Sequence, residues 1–201
     1  MTVTNGYITL ANLKTYLKID DSVEDALLES IIESASRSID RIANRRFYLD
    51  STASARTYQN ETFWRCQVDD IGSTTGLVVK TNPDSSGTYQ VTLTQGTDYI
   101  VEPTNAAAKG RPYTTITIVG SNGFSLPVDL RPQVQVTAMW GWPAIPDDIE
   151  QACYILSADL YKRKDSIGGV LGLSELGAIR MSPLGRDIAA MVKAYRREFF
   201  A

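Results

Sequence analysis

Two pairs of neighbouring carboxylates, Asp69-Asp70 and Asp147-Asp148, are the residues best suited to acid–base work in this chain. Paired carboxyls whose surroundings split their protonation hydrolyse glycosides without any help from histidine. The local sequence argues against that use. Asp69-Asp70 stands in a turn-like segment before Gly72. Asp147-Asp148 follows Pro146 and opens a helix, where acidic side chains complement the positive end of the helix dipole. The chain has no histidine, so it lacks the side chain that titrates near neutrality, and Ser–His–Asp and Cys–His nucleophiles are excluded. Cys66 and Cys153 fit no metal spacing and read as buried, reduced thiols. Gly168, Gly169 and Gly172 form no phosphate cradle, since no Gly-Lys-Ser/Thr follows and no strand precedes them. Trp140-Gly141-Trp142 is either an aromatic ligand platform or a pair of bulky side chains packed where a sheet meets a helix. Arg45-Arg46 after a long helix is either a phosphate contact or, as is commoner for such a pair, a complement to the helix C-terminus. No cofactor and no metal is implied, and the inventory reads as that of a protein without catalysis.

The bulk properties narrow the class further. The chain has 201 residues, 43% of them hydrophobic and 21% charged, enough to build a core without staples. Its net charge is −3. Basic and acidic residues number six and eight in 1–50, six and seven in 51–140, and eight and eight in 141–201. No zone carries the basic excess that grips a phosphate backbone. Met1–Gly6 has neither the basic nor the apolar run of a secretion signal, and no window approaches a membrane span, so the expected setting is cytosol-like with no membrane partner.

Three compositional zones must position whatever the chain does. In 1–50 the periodicity predicts a short helix over 10–18 with Thr9 as its N-cap. A helix of about 22 residues follows, capped by Ser22 with Asp25 three residues on. Its apolar stripe is Leu28, Ile31, Ile32, Ala35, Ile39, Ile42 and Ala43, and its opposite face carries Glu29, Glu33, Arg37, Asp40 and Arg41. In 51–140 the period changes to two: Tyr89-Val91-Leu93, Ile116-Ile118 and Val134-Val136-Ala138 alternate with polar residues. That pattern predicts five to seven antiparallel strands in a small sheet, sandwich or open barrel. In 141–201 a helix starts at Pro146-Asp147-Asp148 with Ile149, Ala152, Cys153, Leu156 and Leu160 on its stripe. A Gly-rich loop over 165–182 leads to a last helix from Ser182-Pro183, striped by Leu184, Ile188, Met191, Val192, Tyr195 and Phe199. The expected class is α+β: a bundle of about four helices with an inserted antiparallel β domain.

That order of elements, and particular runs within it, resemble the phage head–tail connector (adaptor) family. Tyr7-Ile8-Thr9-Leu10-Ala11-Asn12-Leu13-Lys14-Thr15-Tyr16-Leu17-Lys18-Ile19-Asp20 is similar to the family's opening, and the helix from Glu24-Asp25-Ala26-Leu27-Leu28 to Ile42-Ala43-Asn44-Arg45-Arg46-Phe47 is similar too. The return, Val136-Thr137-Ala138-Met139-Trp140-Gly141-Trp142 through Ile145-Pro146 to Leu160-Tyr161-Lys162-Arg163, matches as well. The likeness covers about 1–47 and 134–164; the insertion over 53–133 departs from the smallest, nearly all-helical members. The resemblance implies a structural virion protein, made in the host cytoplasm, standing in the neck as a ring of about twelve copies between the portal and the next neck or tail protein. DNA would only pass through the channel. A β-type carbohydrate- or ligand-binding module flanked by helices is the alternative, supported by the tryptophan cluster alone.

Within this reading the C-terminal part is expected to dock on the portal. Four glycines from Gly168 to Gly177 are costly to order unaided, whereas Leu171 and Leu173 among them are too apolar for a solvated linker. Tyr195, Arg196, Arg197, Phe199 and Phe200 have the aromatic and arginine composition of interface anchors. Gly168, Gly169, Leu171, Leu173, Tyr195, Arg196, Arg197, Phe199 and Phe200 are the expected docking residues. The charge distribution carries a separate expectation: purified protein binds duplex DNA weakly at physiological salt, with little salt dependence. A fluorescence-anisotropy titration returning sub-micromolar affinity and a steep salt slope would refute it.

Overall fold

Thr9 starts the first helix in the way its side chain dictates. From an extended conformation its Oγ1 accepts the Asn12 N–H at 3.2 Å, satisfying one of the amides that a first helical turn leaves open. In the computed structural model, which describes residues 3–84, 86–120, 124, 131–164, 170–174, 177–180 and 186–197, this helix is α1, Leu10–Leu17. It ends at Lys18 in the left-handed conformation, whose N–H reaches the Lys14 and Thr15 carbonyls. Helix α2, Asp25–Ala43, starts later than its sequence predicts. Its N-cap is Glu24 and not Ser22, and no side chain caps it. The Glu24 carboxylate is drawn instead to Tyr161 and Lys164, a tertiary demand that local capping preference cannot anticipate.

The stripe on α2 is buried as its spacing requires, with Leu28, Ile32, Ala35, Ile39 and Ala43 fully inside. Helix α3, Asp147–Arg163, turns Ile149, Ala152, Cys153 and Leu156 inward, with Asp147, Asp148 and Glu150 in its first turn and Lys162 and Arg163 in its last. Helix α4, Arg186–Lys193, adds Ile188 and Val192. The expected start at Ser182-Pro183 lies outside the described residues. These helices belong to one compact unit, Met1–Phe47 with Ile145–Ala201, and residues Tyr48–Ala144 form a second.

In the second unit six strands form one antiparallel sheet: β1 Ser54–Tyr58, β2 Arg65–Thr81, β3 Val91–Leu93, β4 Tyr99–Glu102, β5 Tyr113–Ile118 and β6 Val134–Trp140. Their order is β1-β6-β2-β5-β4, with β3 also paired to β2. Strand β6 shows the alternation its sequence predicts, Val134, Val136, Ala138 and Trp140 facing in. Strand β2 does not, because its register breaks between Gln67 and Ile71 and twice more before Val78; such bulges let one long strand serve several neighbours. The glycine at 141 is required: at φ +115° any β-carbon would collide with the Tyr48 carbonyl oxygen and lie 2.9 Å from its carbon. There the Asp50 N–H donates to the Trp140 carbonyl at 2.8 Å and the Gly141 N–H to the Asp70 carbonyl at 2.7 Å.

The Gly-rich segment is not a plain loop. Val170–Ser174 and Gly177–Arg180 form an antiparallel pair, β7 and β8. Glycines mark breakers, but the β-branched Val170 and Ile179 favour extended backbone, and the residues between the breakers decided the outcome.

Ile39 is fully buried and Leu156 is 3% exposed, both in the helical unit. Changing either to Ala is expected to cost roughly 2–5 kcal/mol in denaturant melts; losses under about 1 kcal/mol at both sites would refute the packing described.

Candidate functional site

The polar centre of the helical unit is Tyr7. Its hydroxyl donates to Asp40 and accepts the Phe47 N–H at 2.9 Å, while its own N–H donates to Ser36 Oγ at 3.1 Å. Asp40 also meets Arg37 at 3.1 Å. Burial, then the bond to Asp40, holds the Tyr7 phenol well above its ordinary range. Burial raises the Asp40 carboxyl, opposed by the Tyr7 bond and Arg37. The sequence placed Asp40 on the solvent face of α2; the structure half-buries it. The signal that would have found it is Tyr7, an aromatic with a polar tip just ahead of the first cap. Ser36 Oγ lies 3.6 Å from the Cys153 sulfur. Both cysteines are free and buried; burial pushes the Cys66 thiol up to about 12 and raises Cys153, the environment of inert thiols.

One carboxylate of each pair is engaged structurally. Asp69 accepts from Arg56 at 2.7 Å and Tyr58 at 2.9 Å, whereas Asp70 is buried beside it, since consecutive strand residues face opposite ways. Asp148 accepts from the Tyr195 hydroxyl at 2.9 Å. Trp140 is fully buried, its Nε1 donating to the Ser54 carbonyl at 2.8 Å and its ring lying 4.5 Å below the Arg56 guanidinium. Trp142 is 3% exposed. Neither indole offers a face to a ligand. Among the described residues no cluster of three or more His, Cys, Asp or Glu is placed to hold a metal ion, and no helix is long and apolar enough to cross a membrane.

Of the expected docking residues, Leu171 and Leu173 lie on β7. Gly168, Gly169, Phe199 and Phe200 lie outside the described residues. Tyr195 packs edge-on against Phe47 at 5.8 Å, and the Arg197 N–H reaches the Ala43 carbonyl at 2.9 Å. Arg196 is exposed.

Two surface features were not singled out from the sequence. Around Lys18, two adjoining grooves of about 360 and 590 Å³ run between the end of α1, the α1–α2 connection and the second half of α3. Tyr16, stacked on Tyr154 at 5.3 Å, and Val23, 88% exposed, stand at their edges. In the sheet unit, Phe63 and Trp64 are exposed and packed edge-to-face at 4.8 Å.

Residues 7–75, about a third of the chain, match the family model of the phage gp6-like head–tail connector protein. The likeness read from the opening helices is shown. No curated protein matches the chain. Among solved structures, the neck of a native gene transfer agent particle computed with C12 symmetry contains a chain 16% identical, with TM-score 0.57, covering all of this chain and 94% of that one. The neck of an empty gene transfer agent particle computed with C6 symmetry contains one 15% identical, TM-score 0.55, covering 100% and 95%. The virion of a native gene transfer agent particle contains one 16% identical, TM-score 0.53, with the same coverage. The fold shared with these chains covers the sheet unit and the C-terminal helices as well as residues 7–75.

Tyr7→Phe is expected to cost about 1–3 kcal/mol near neutral pH, because the Phe47 N–H and the Asp40 carboxylate lose a buried partner. A raised carboxyl pKa gives stability that is fully present below the unfolded value and is lost as pH rises through the folded one. Removing the bond that lowers Asp40 raises its pKa further, so the deficit of the variant should grow as pH climbs from the acid range toward neutrality. Urea melts of both proteins from about pH 3 to about pH 7 check this; a deficit independent of pH would refute the role of Asp40.

Proposed function

We propose that this chain is a structural subunit of a phage-type particle neck, one copy in a ring of about twelve that joins the portal to the next neck or tail protein and lengthens the DNA channel. The observation that carries the reading is the correspondence of the whole chain, helices and sheet alike, with the fold of chains in particle necks. The C12 symmetry of one of those necks supports the copy number proposed, and the connector match over 7–75 supports the role. The reading is structural and not enzymatic, with the particle neck as the place of action and DNA passing through without being gripped. The absence of a basic zone suits a channel wall along which DNA must slide.

Within it, we assign portal docking to 165–201. Ile188 and Val192 are buried in the helical unit, so α4 anchors the segment. The β7–β8 pair with Leu171 and Leu173, the glycines at 168 and 169, and the end from Tyr195 through Arg196 and Arg197 to Phe199 and Phe200 form the docking part. A two-stranded sheet is marginal by itself, which suits an element completed by a partner. The division into helical parts 1–50 and 141–201 around an inserted 51–140 follows the same logic, with the helices making the ring core.

Electron microscopy of particle necks is expected to show about twelve copies, and light scattering on purified protein a monomer or small oligomer; a stable dimer persisting in the particle would sink the proposal. Replacing 168–180 by a short Gly-Ser linker should leave the helical melt unchanged and abolish incorporation into necks. Normal incorporation of that variant would remove the docking role while leaving the ring intact.

A further inference from the structure

We infer that the Phe63–Trp64 pair of one copy seats in the groove around Lys18 of the next copy, forming the repeating contact of the ring; the inference rests on the ring reading above. A closed ring of identical subunits needs a heterologous contact, in which two different surfaces of the chain complement each other. The chain presents such a pair.

The first surface is a rigid projection. Trp64 is 50% and Phe63 38% exposed, large for aromatic rings on a surface. The connection that carries them is tied from within and from the sheet. Thr62 Oγ1 accepts the Trp64 and Arg65 N–H groups at 3.2 and 3.1 Å. The Trp64 and Phe63 carbonyls accept from Ile118 and Phe124, each at 2.8 Å. A projection already fixed loses little conformational freedom on binding. Its composition, two aromatics followed by Arg65, is that of interface hot spots, and the Arg65 side chain, 56% exposed, holds Glu102 only loosely at 3.6 Å.

The second surface complements it in polarity. The grooves are lined by the half-buried Leu17, Ile19 and Ile155 and by charged side chains in which the carboxylates, Asp20 and Asp21 among them, outnumber the two lysines, Lys18 and Lys162. Aromatic rings seated beside those apolar side chains would bring the Arg65 guanidinium toward the excess of carboxylates, the charge complementarity that sets register in a contact. Val23, at 88% exposure, is the most open large apolar side chain among the described residues, and burial of its methyls would add to the contact.

The test uses full-length chain in assembled necks. Val23→Cys and Glu61→Cys together place thiols beside the two surfaces; Cys66 and Cys153, both buried, stay unreactive in the folded chain. A short bis-maleimide is expected to give a ladder of dimers, trimers and higher species with the double variant and none with either single one. Trp64→Ala should keep the melting temperature of the parent and lower the number of necks carrying the chain about tenfold or more. Rings visible by electron microscopy but giving no ladder, or Trp64→Ala assembling as the parent does, would overturn this contact and leave the ring reading standing. Necks without any ring of this chain would remove the ring reading and the inference with it.

Discussion

The Tyr7 hydroxyl is one group with two obligations, and the helical unit is arranged so that both are met at once. It gives its proton to Asp40 and takes that of the Phe47 amide, while the Tyr7 N–H goes to Ser36. Residues before α1, in the body of α2 and after its end are thereby fixed to one atom group in a place with little water. A buried polar group without partners costs more than the bond is worth when made, so the segments are held less by attraction than by the penalty for any other arrangement. The left-handed residue Asn44, whose N–H returns to the Asp40 carbonyl, turns the chain so that Phe47 reaches the phenol. Phe47 packs edge-on against Tyr7 and against Tyr195, which extends the same constraint to the residues just after α4.

Where a single physical rule dominated, the sequence was readable. The Thr9 cap and the buried stripe of α2 followed from spacing alone, because burial of one helix face outweighs every local preference along it. Strand β6 was legible for the same reason at period two. The failures came where two demands competed. Glu24 displaced Ser22 as the cap residue because Lys164 and Tyr161, far away in sequence, draw its carboxylate. Strand β2 was invisible across Asp69-Asp70, Gly72 and the threonines that follow, since bulges shift the face that each residue shows. The β7–β8 pair was masked by its own glycines.

The surfaces were the least legible part. Nothing in the sequence singled out Phe63 and Trp64, and only the fold leaves them outside while Trp140 and Trp142 go in. The three tryptophans are alike in type; what separates them is whether the backbone around each is sealed by the sheet. The alternative of a ligand-binding β module rested on the two indoles that turned out to be enclosed. Composition locates side chains able to anchor a partner, and topology decides which of them are still available.

The close approach at Gly141 brings the beginning and the end of the sheet unit together. Tyr48 and Leu49 lie against Gly141 and Gly72, so nearly a hundred residues leave and return at almost the same point. Loop closure costs grow only slowly with length, and a stretch whose ends already meet can be lengthened, pruned or exchanged as a block without moving what it is attached to. In hereditary terms such a stretch is a cassette, a block between two neighbouring points of the chain that one recombination could exchange while the flanking sequence stays in frame.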